Sequence, residues 1–139
     1  MEKYRAKNKF GNWVYGIPYQ NANGNWVLQG WSNGNLGLKT KSLYEIDKDT
    51  IRKFSGIIDE LNYDIYEGDV FADVLSSGLN GVVKFGVYHN CFDKPGVKKY
   101  GGHVGFYVQF SDDRVRKDLI YWARNSAKIG NIIDSPELI

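Results

Sequence analysis

The chain has 139 residues, a length that allows one domain or two small lobes sharing a core. Hydrophobic residues make up 42% of it, which is enough to build a core and argues against a disordered chain. No apolar run reaches the roughly 18 residues that a membrane span needs, and the charged start of the chain lacks the apolar segment of a signal peptide. The single cysteine, Cys91, excludes an internal disulfide. We therefore expect a cytoplasmic protein that does not contact a membrane.

Short extended segments separated by turn residues fill the first third of the chain. Alternation and β-type composition predict strands at 3–7, 13–17, 26–28 and 39–46. Asn-Gly pairs within 20–25 and 32–37 are typical of tight hairpin turns. Asp47 is the expected N-cap of one helical or 3₁₀ turn. Residues 1–53 therefore predict a small antiparallel meander.

The middle of the chain has features expected at the start of a small barrel. Asp64-Ile65-Tyr66 leads through the turn Glu67-Gly68-Asp69 into an alternating run at 70–74. Asn80-Gly81 predicts a hairpin turn before an expected strand at 82–85. This succession is similar to the opening of an SH3-like barrel.

The last third contains the clearest strand of the chain, at 104–110, where β-branched and aromatic residues follow each other. A loop rich in glycine and lysine precedes it at 89–102, and a polar loop follows it at 112–117. Residues 118–123 allow either a strand or a helical turn, of which we favour the strand. A final strand is expected at 128–133, and Ser135 with Pro136 predicts one more helical turn.

These segments predict a mainly β fold with little helix. The expected architecture is an N-terminal antiparallel meander plus a C-terminal SH3-like small barrel. We expect a single domain over residues 1–139, with lobes at 1–53 and 54–139.

The segment FSGIIDELNYDIYEGDV at 54–70 resembles the central signature of the YopX family, small proteins found mostly in phages and prophages of Gram-positive bacteria. Lys3-Tyr4-Arg5-Ala6 with Trp13-Val14-Tyr15-Gly16 is similar to the N-terminal pattern of that family, and Ile129-Gly130-Asn131-Ile132 with Ser135-Pro136-Glu137-Leu138 to its C-terminal ending. The likeness covers nearly the whole chain in one order. It implies a mainly β protein of a phage or prophage, acting in the bacterial host, with no established activity and no catalytic residue set.

The residues themselves offer no convincing catalytic, cofactor or metal site. His89, Cys91 and His103 flank one loop, but they lack the paired spacing of zinc ligands, and nothing around Cys91 predicts an oxyanion hole. Glu67 and Asp69 could act as an acid–base pair, although turn carboxylates more often accept hydrogen bonds from turn amides. Phosphate-binding glycine motifs are missing from the sequence. We therefore expect a protein that is not an enzyme and carries no cofactor.

The net charge of +2 conceals a basic–acidic–basic distribution along the chain. Residues 1–53 contain nine Lys and Arg and four Asp and Glu, a balance of +5, and 94–128 contain eight and three, again +5. Folding can bring such segments together so that they neutralise each other, and otherwise a basic face can bind a polyanion. The candidate polyanion-binding residues are Lys94, Lys98, Lys99, Tyr100, Arg114, Arg116, Lys117 and Arg124.

Two functions from different classes follow from this composition. The first is a non-enzymatic β domain that binds a phage or host protein or assembles with itself, because aromatic residues are abundant and a catalytic set is missing. The alternative is binding of single-stranded nucleic acid through a basic aromatic face, as small barrels do.

Overall fold

The computed structural model describes residues 3–33, 39–96 and 101–139. The chain forms two compact units, Met1–Phe54 and Ser55–Ile139. Both are built from antiparallel strands, and helix is scarce in the described residues, so the predicted mainly β fold is confirmed. No helix in these ranges is long and apolar enough to cross a membrane.

The first unit contains the strands β1 (Tyr4–Lys7), β2 (Trp13–Gln20), β3 (Trp26–Asn33), β4 (Lys39–Glu45) and β5 (Arg52–Ile58), the last of which runs across the division between the units. The first four strands form a meander of consecutive neighbours, as the turn residues predict, and β5 returns to pair with β1. The order is therefore β4-β3-β2-β1-β5, and neighbouring strands are antiparallel. The turn predicted within 20–25 joins β2 to β3. The one predicted at 32–37 falls partly on residues outside the described ranges.

A small aliphatic core holds this unit together. Ala6, Val14 and Leu28 are buried on one face of the sheet, and Ile46 and Ile51 pack against them. The other face of β1 and β2 therefore points away from this core.

The two halves of β2 have different partners. Its first half pairs with β1 and its second half with β3. The change occurs at Gly16, where a Cβ atom would collide with the carbonyl oxygen of Gln29. Only glycine lets the two backbones approach this closely.

Asp47 caps a 3₁₀ turn (Lys48–Thr50), as predicted. Its carboxylate accepts a hydrogen bond from the Asp49 amide at 3.0 Å. The Thr50 hydroxyl oxygen accepts one from the Lys7 amide at 2.8 Å, which ties the turn to β1.

The elements of the second unit are β6 (Asp64–Tyr66), β7 (Asp69–Ala72), β8 (Asn80–Tyr88), β9 (His103–Gln109), helix α1 (Leu119–Asn125), β10 (Lys128–Asn131) and a 3₁₀ turn at Pro136–Leu138. Four of the strands form an antiparallel sheet in the order β10-β7-β8-β9. The short strand β6 pairs with β5. The SH3-like character of this unit remains a prediction.

Aromatic residues dominate the core of the second unit. Phe71, Phe110 and Trp122 are buried there, and the Phe110 and Trp122 rings lie 5.0 Å apart. The turn between β6 and β7 has the predicted chemistry, because Asp69 is buried and its carboxylate accepts a hydrogen bond from the Tyr66 amide at 2.8 Å.

The strand predicted at 118–123 is wrong, because helix α1 occupies this segment. Leu119, Trp122 and Ala123 are buried, and their i, i+3, i+4 spacing gives a helix one apolar stripe that faces the core. The β-type side chains Ile120 and Tyr121 fall between these positions, and Ile120 is exposed. Burial of the stripe outweighs their strand propensity.

The hairpin turn predicted at Asn80-Gly81 is also wrong, because both residues lie within β8, opposite Ala72 and Phe71. The connection from β7 is made earlier, where the Asp73 carboxylate accepts hydrogen bonds from two serine amides and one serine hydroxyl. Gly81 is needed for packing rather than for a turn. A Cβ atom there would come within 2.6–2.8 Å of the Val108 and Phe110 side chains.

Candidate functional site

A cavity of about 280 Å³ opens at one end of the second unit. Four segments meet around it: the β7–β8 connection, the loop after β8, the loop before α1, and α1 itself. We call it the loop-end pocket. Its lining residues are Asp73, Ser76, Cys91, Phe92, Arg114, Val115, Arg116, Tyr121 and Trp122.

Arg116 lies between two aromatic rings in this pocket. Its guanidinium carbon is 4.9 Å from the centre of the Phe92 ring and 4.5 Å from that of Tyr121. The guanidinium also donates two hydrogen bonds to the carboxylate of Asp118, which raises the pKa of Arg116. The Trp122 indole N–H donates to the Arg116 carbonyl oxygen at 2.8 Å. Stacking and bidentate pairing together hold this side chain in one orientation.

Apolar side chains are exposed beside the pocket. Val74 and Leu75 lie between the lining residues Asp73 and Ser76, and they are 79% and 95% exposed. Phe92 lines the pocket and is 58% exposed. We call Val74, Leu75 and Phe92 the apolar rim. Large apolar side chains next to a concave site are typical of surfaces that bind another protein.

Buried polar groups fix the loop that carries Phe92. Asn90 is buried, and its side-chain oxygen accepts a hydrogen bond from the Lys117 amide at 2.8 Å. The Asn90 amide in turn donates to the Asp93 carboxylate at 2.7 Å. Both oxygens of Asp93 lie 3.0 Å from His103 Nε2 on β9, and this hydrogen bond lowers the pKa of Asp93. The loop is therefore tied both to the Lys117 segment and to the sheet.

The structure brings two of the candidate polyanion-binding residues, Arg114 and Arg116, together at the loop-end pocket. Lys117 is buried, with its ammonium nitrogen 3.3 Å from Asp113, and lies outside the pocket lining. Lys94 and Arg124 are exposed. Lys98, Lys99 and Tyr100 fall outside the described residues.

Each basic residue between positions 112 and 118 has an aspartate partner. Arg114 donates two hydrogen bonds to Asp112, which lowers the pKa of that carboxyl group. Lys117 pairs with Asp113, and Arg116 with Asp118. These three pairs neutralise the positive charge of this segment locally.

Two of the other polar residues considered for chemistry, His103 and Asp69, have structural partners, whereas the buried Nδ1 of His89 has no hydrogen-bond partner among the described residues. His103 is bound to Asp93, and the Asp69 carboxylate accepts from the Tyr66 amide and lies 3.3 Å from the Lys128 ammonium. Over the described ranges, no three His, Cys, Asp or Glu side chains come close enough together to hold a metal ion. Cys91 lines the loop-end pocket without any histidine among the other lining residues.

Sequence reasoning missed Phe92, Leu75 and Tyr121 as site residues. Phe92 lies in a segment predicted as a loop, where a large apolar residue has no obvious structural use. The adjacent pair Val74-Leu75 gave a similar signal, because it lies just past the end of a buried strand, with only Asp73 between them. Tyr121 became a candidate only once α1 was known to be a helix.

The family model described as YopX protein matches residues 3–139 of the chain. This match covers nearly all of both units. No curated protein matches the chain significantly.

Proposed function

Because the chain belongs to the YopX protein family, we propose that it is a non-enzymatic interaction domain of a phage or prophage, active in the cytoplasm of the bacterial host. It binds another protein, or a second copy of itself, through the loop-end pocket. The observation that carries this proposal is the apolar rim, above all Leu75 at 95% exposure beside a concave site.

The composition of the pocket supports a protein as the ligand. Aromatic residues and arginine are the side chains most enriched at the energetic centres of protein interfaces. Here Arg116 is held between Phe92 and Tyr121 before any partner arrives. Binding of a partner therefore costs little side-chain entropy at Arg116.

The charges around the pocket argue against a polyanion as its ligand. Arg116 and Arg114 are each paired with an aspartate, so a phosphate group would have to displace a carboxylate from each guanidinium. An apolar partner can instead cover the rim and leave these pairs intact.

Site-specific photocrosslinking tests the proposal. A photoreactive amino acid is placed at Leu75 in one variant and at Val104 in a control, since Val104 is also exposed and apolar but does not line the pocket. We expect a discrete adduct from position 75 and none from position 104. Phe92→Ser should weaken the contact by about 30-fold, the effect of losing a central interface residue of about 2 kcal/mol.

The mass of the adduct identifies the kind of partner. An adduct of twice the chain mass in purified protein indicates self-assembly, and an adduct formed only inside the host cell indicates a different protein. The absence of any adduct at position 75, or equal adducts at both positions, would overturn the proposal.

A further inference from the structure

A row of cationic side chains lies on the outward face of the first unit. Side chains along a strand alternate between the two faces, and Ala6 on β1 points into the core. Lys3, Arg5 and Lys7 therefore share the opposite face, on which Lys3 and Lys7 are half-buried and Arg5 is buried. Their spacing of two is already visible in the sequence.

The partners of β1 extend this row with aromatic residues and a further cation. Lys7 lies directly opposite Trp13, and Arg5 lies opposite Tyr15 on β2. Arg5 also lies opposite Arg52 on β5. Directly opposed residues of antiparallel strands point to the same side of a sheet. We call the surface formed by Lys3, Lys7, Trp13, Tyr15 and Arg52 the cationic face.

Contacts between cations and rings organise this face. The Arg5 guanidinium is 4.4 Å and the Lys7 ammonium 4.6 Å from the Trp13 ring. The Lys3 ammonium lies 4.6 Å from the ring of Phe54. The aromatic rings of Trp13 and Phe54 therefore fix the positions of these three charged groups.

Arg52 is anchored on this face. Its Nη1 donates hydrogen bonds to the carbonyl oxygens of Asp49 and Ile51, and the side chain is half-buried.

The charge balance of the first unit agrees with an anionic ligand. It contains nine Lys and Arg against four Asp and Glu, a net charge of +5. Glu45 ends β4, the next residue, Ile46, forms a bridge with Asn8 at the end of β1, and the Asp47 amide donates to the Lys7 carbonyl oxygen at 2.9 Å. Asp47 and Asp49 belong to the 3₁₀ segment between β4 and β5, and Asp47 caps it.

Exposed side chains suited to bases continue along β2. Tyr15, Ile17 and Tyr19 alternate outward and are 50%, 49% and 37% exposed. Bases stack on exposed aromatic rings while neighbouring cations hold the phosphates, and this combination is typical of proteins that bind single strands. A duplex keeps its bases stacked on each other, so that it could use the cations only.

We propose that the cationic face binds single-stranded nucleic acid, with phosphates on Lys3, Lys7 and Arg52 and a base on Tyr15. This site is new relative to the candidate polyanion-binding residues, all of which lie in the second unit. It is also independent of the loop-end pocket, so either site can fail without the other.

Fluorescence anisotropy of labelled oligothymidylate, between about 50 and 200 mM salt, tests the proposal. In K3Q/K7Q we expect the slope of log affinity against log salt to become shallower by about 1.4, because each phosphate contact on a single strand contributes about 0.7. In Tyr15→Ala we expect an affinity loss of about 10-fold or more with an unchanged slope, because stacking does not release counterions. The two variants thus separate charge from stacking.

The matched control is K84Q/R124Q, which removes two exposed cations from the second unit. It should leave affinity and slope unchanged, and thermal unfolding should show that all variants are folded. Three outcomes would overturn the proposal: no binding at low salt, equal losses in the control, or a duplex bound as tightly as the single strand. Competition by inorganic polyphosphate as strong as that by the oligonucleotide would also overturn it, since this would indicate a general anion site.

Discussion

The two units use the same kinds of side chain in opposite ways. In the second unit Phe71, Phe110 and Trp122 are buried and form the core. In the first unit the core is aliphatic, and none of the aromatic side chains in its described part is fully buried. The first unit instead carries Tyr15 and Trp13 on the outward face, next to its cations.

The cationic side chains of the two units also have different neighbours. Those at 112–118 are each paired with an aspartate, whereas Lys3, Arg5 and Lys7 lie against aromatic rings. The first unit has a net charge of +5, and the second has nine Lys and Arg against twelve Asp and Glu, a net charge of −3. The net charge of +2 for the whole chain therefore describes neither unit. Partners must be inferred from each unit separately.

The largest expected effect tests the contrast between buried and displayed aromatic residues. Phe71 is fully buried, so Phe71→Ala should lower the free energy of unfolding by about 3–5 kcal/mol. Tyr15 is 50% exposed, and Tyr15→Ala should change the free energy of unfolding by no more than about 0.5 kcal/mol. Urea unfolding measures both values. A cost below about 1 kcal/mol for Phe71→Ala would mean that this core is not what stabilises the second unit.

A smaller effect is expected when the aspartate partners in the second unit are removed. In the K3Q/K7Q background, the further changes D112N, D113N and D118N release Arg114, Lys117 and Arg116 from their pairs. Oligothymidylate should then bind to the second unit, and the salt slope should steepen by up to about 2, at roughly 0.7 for each cation. An unchanged slope in the anisotropy titration would show that the aspartates are not what prevents these cations from binding phosphate.

Much of the β architecture could be predicted from the sequence because it depends on local signals. Alternation located β1 and β2, and an Asn-Gly pair located the turn between β2 and β3. Asp47 was recognised as a cap, since capping requires only a side chain and the next few amides. Each of these features is determined by residues that are only a few positions apart in the sequence.

Helix α1 and the loop-end pocket depend on contacts between distant residues. The segment of α1 contains both a strand-type composition and a helical spacing of Leu119, Trp122 and Ala123, and only the core it faces decides between them. Phe92 is positioned by the hydrogen bond between Asn90 and Lys117, which are 27 residues apart. No local pattern contains that information. The cationic face, in contrast, was visible as alternating Lys3, Arg5 and Lys7, but its meaning required the register with Trp13 and Tyr15.

The smallest effect concerns the acid stability of the loop that carries Phe92. The hydrogen bond with His103 lowers the pKa of Asp93 in the folded protein. The folded state therefore favours the ionised carboxylate. This contribution is fully present above the unfolded pKa of about 3.9 and is lost as the pH falls through the lower folded pKa.

Asp93→Asn should accordingly flatten the fall in stability below about pH 4, measured as urea midpoints at successive pH values. His103→Gln should flatten it by a similar amount, because it removes the other half of the same bond. The double variant should add little to either single change, since the two residues act as one unit. An additive result would mean that Asp93 and His103 stabilise the fold separately. The loop that carries Phe92 would then be held mainly by Asn90, and acid would not loosen the loop-end pocket before it unfolds the second unit.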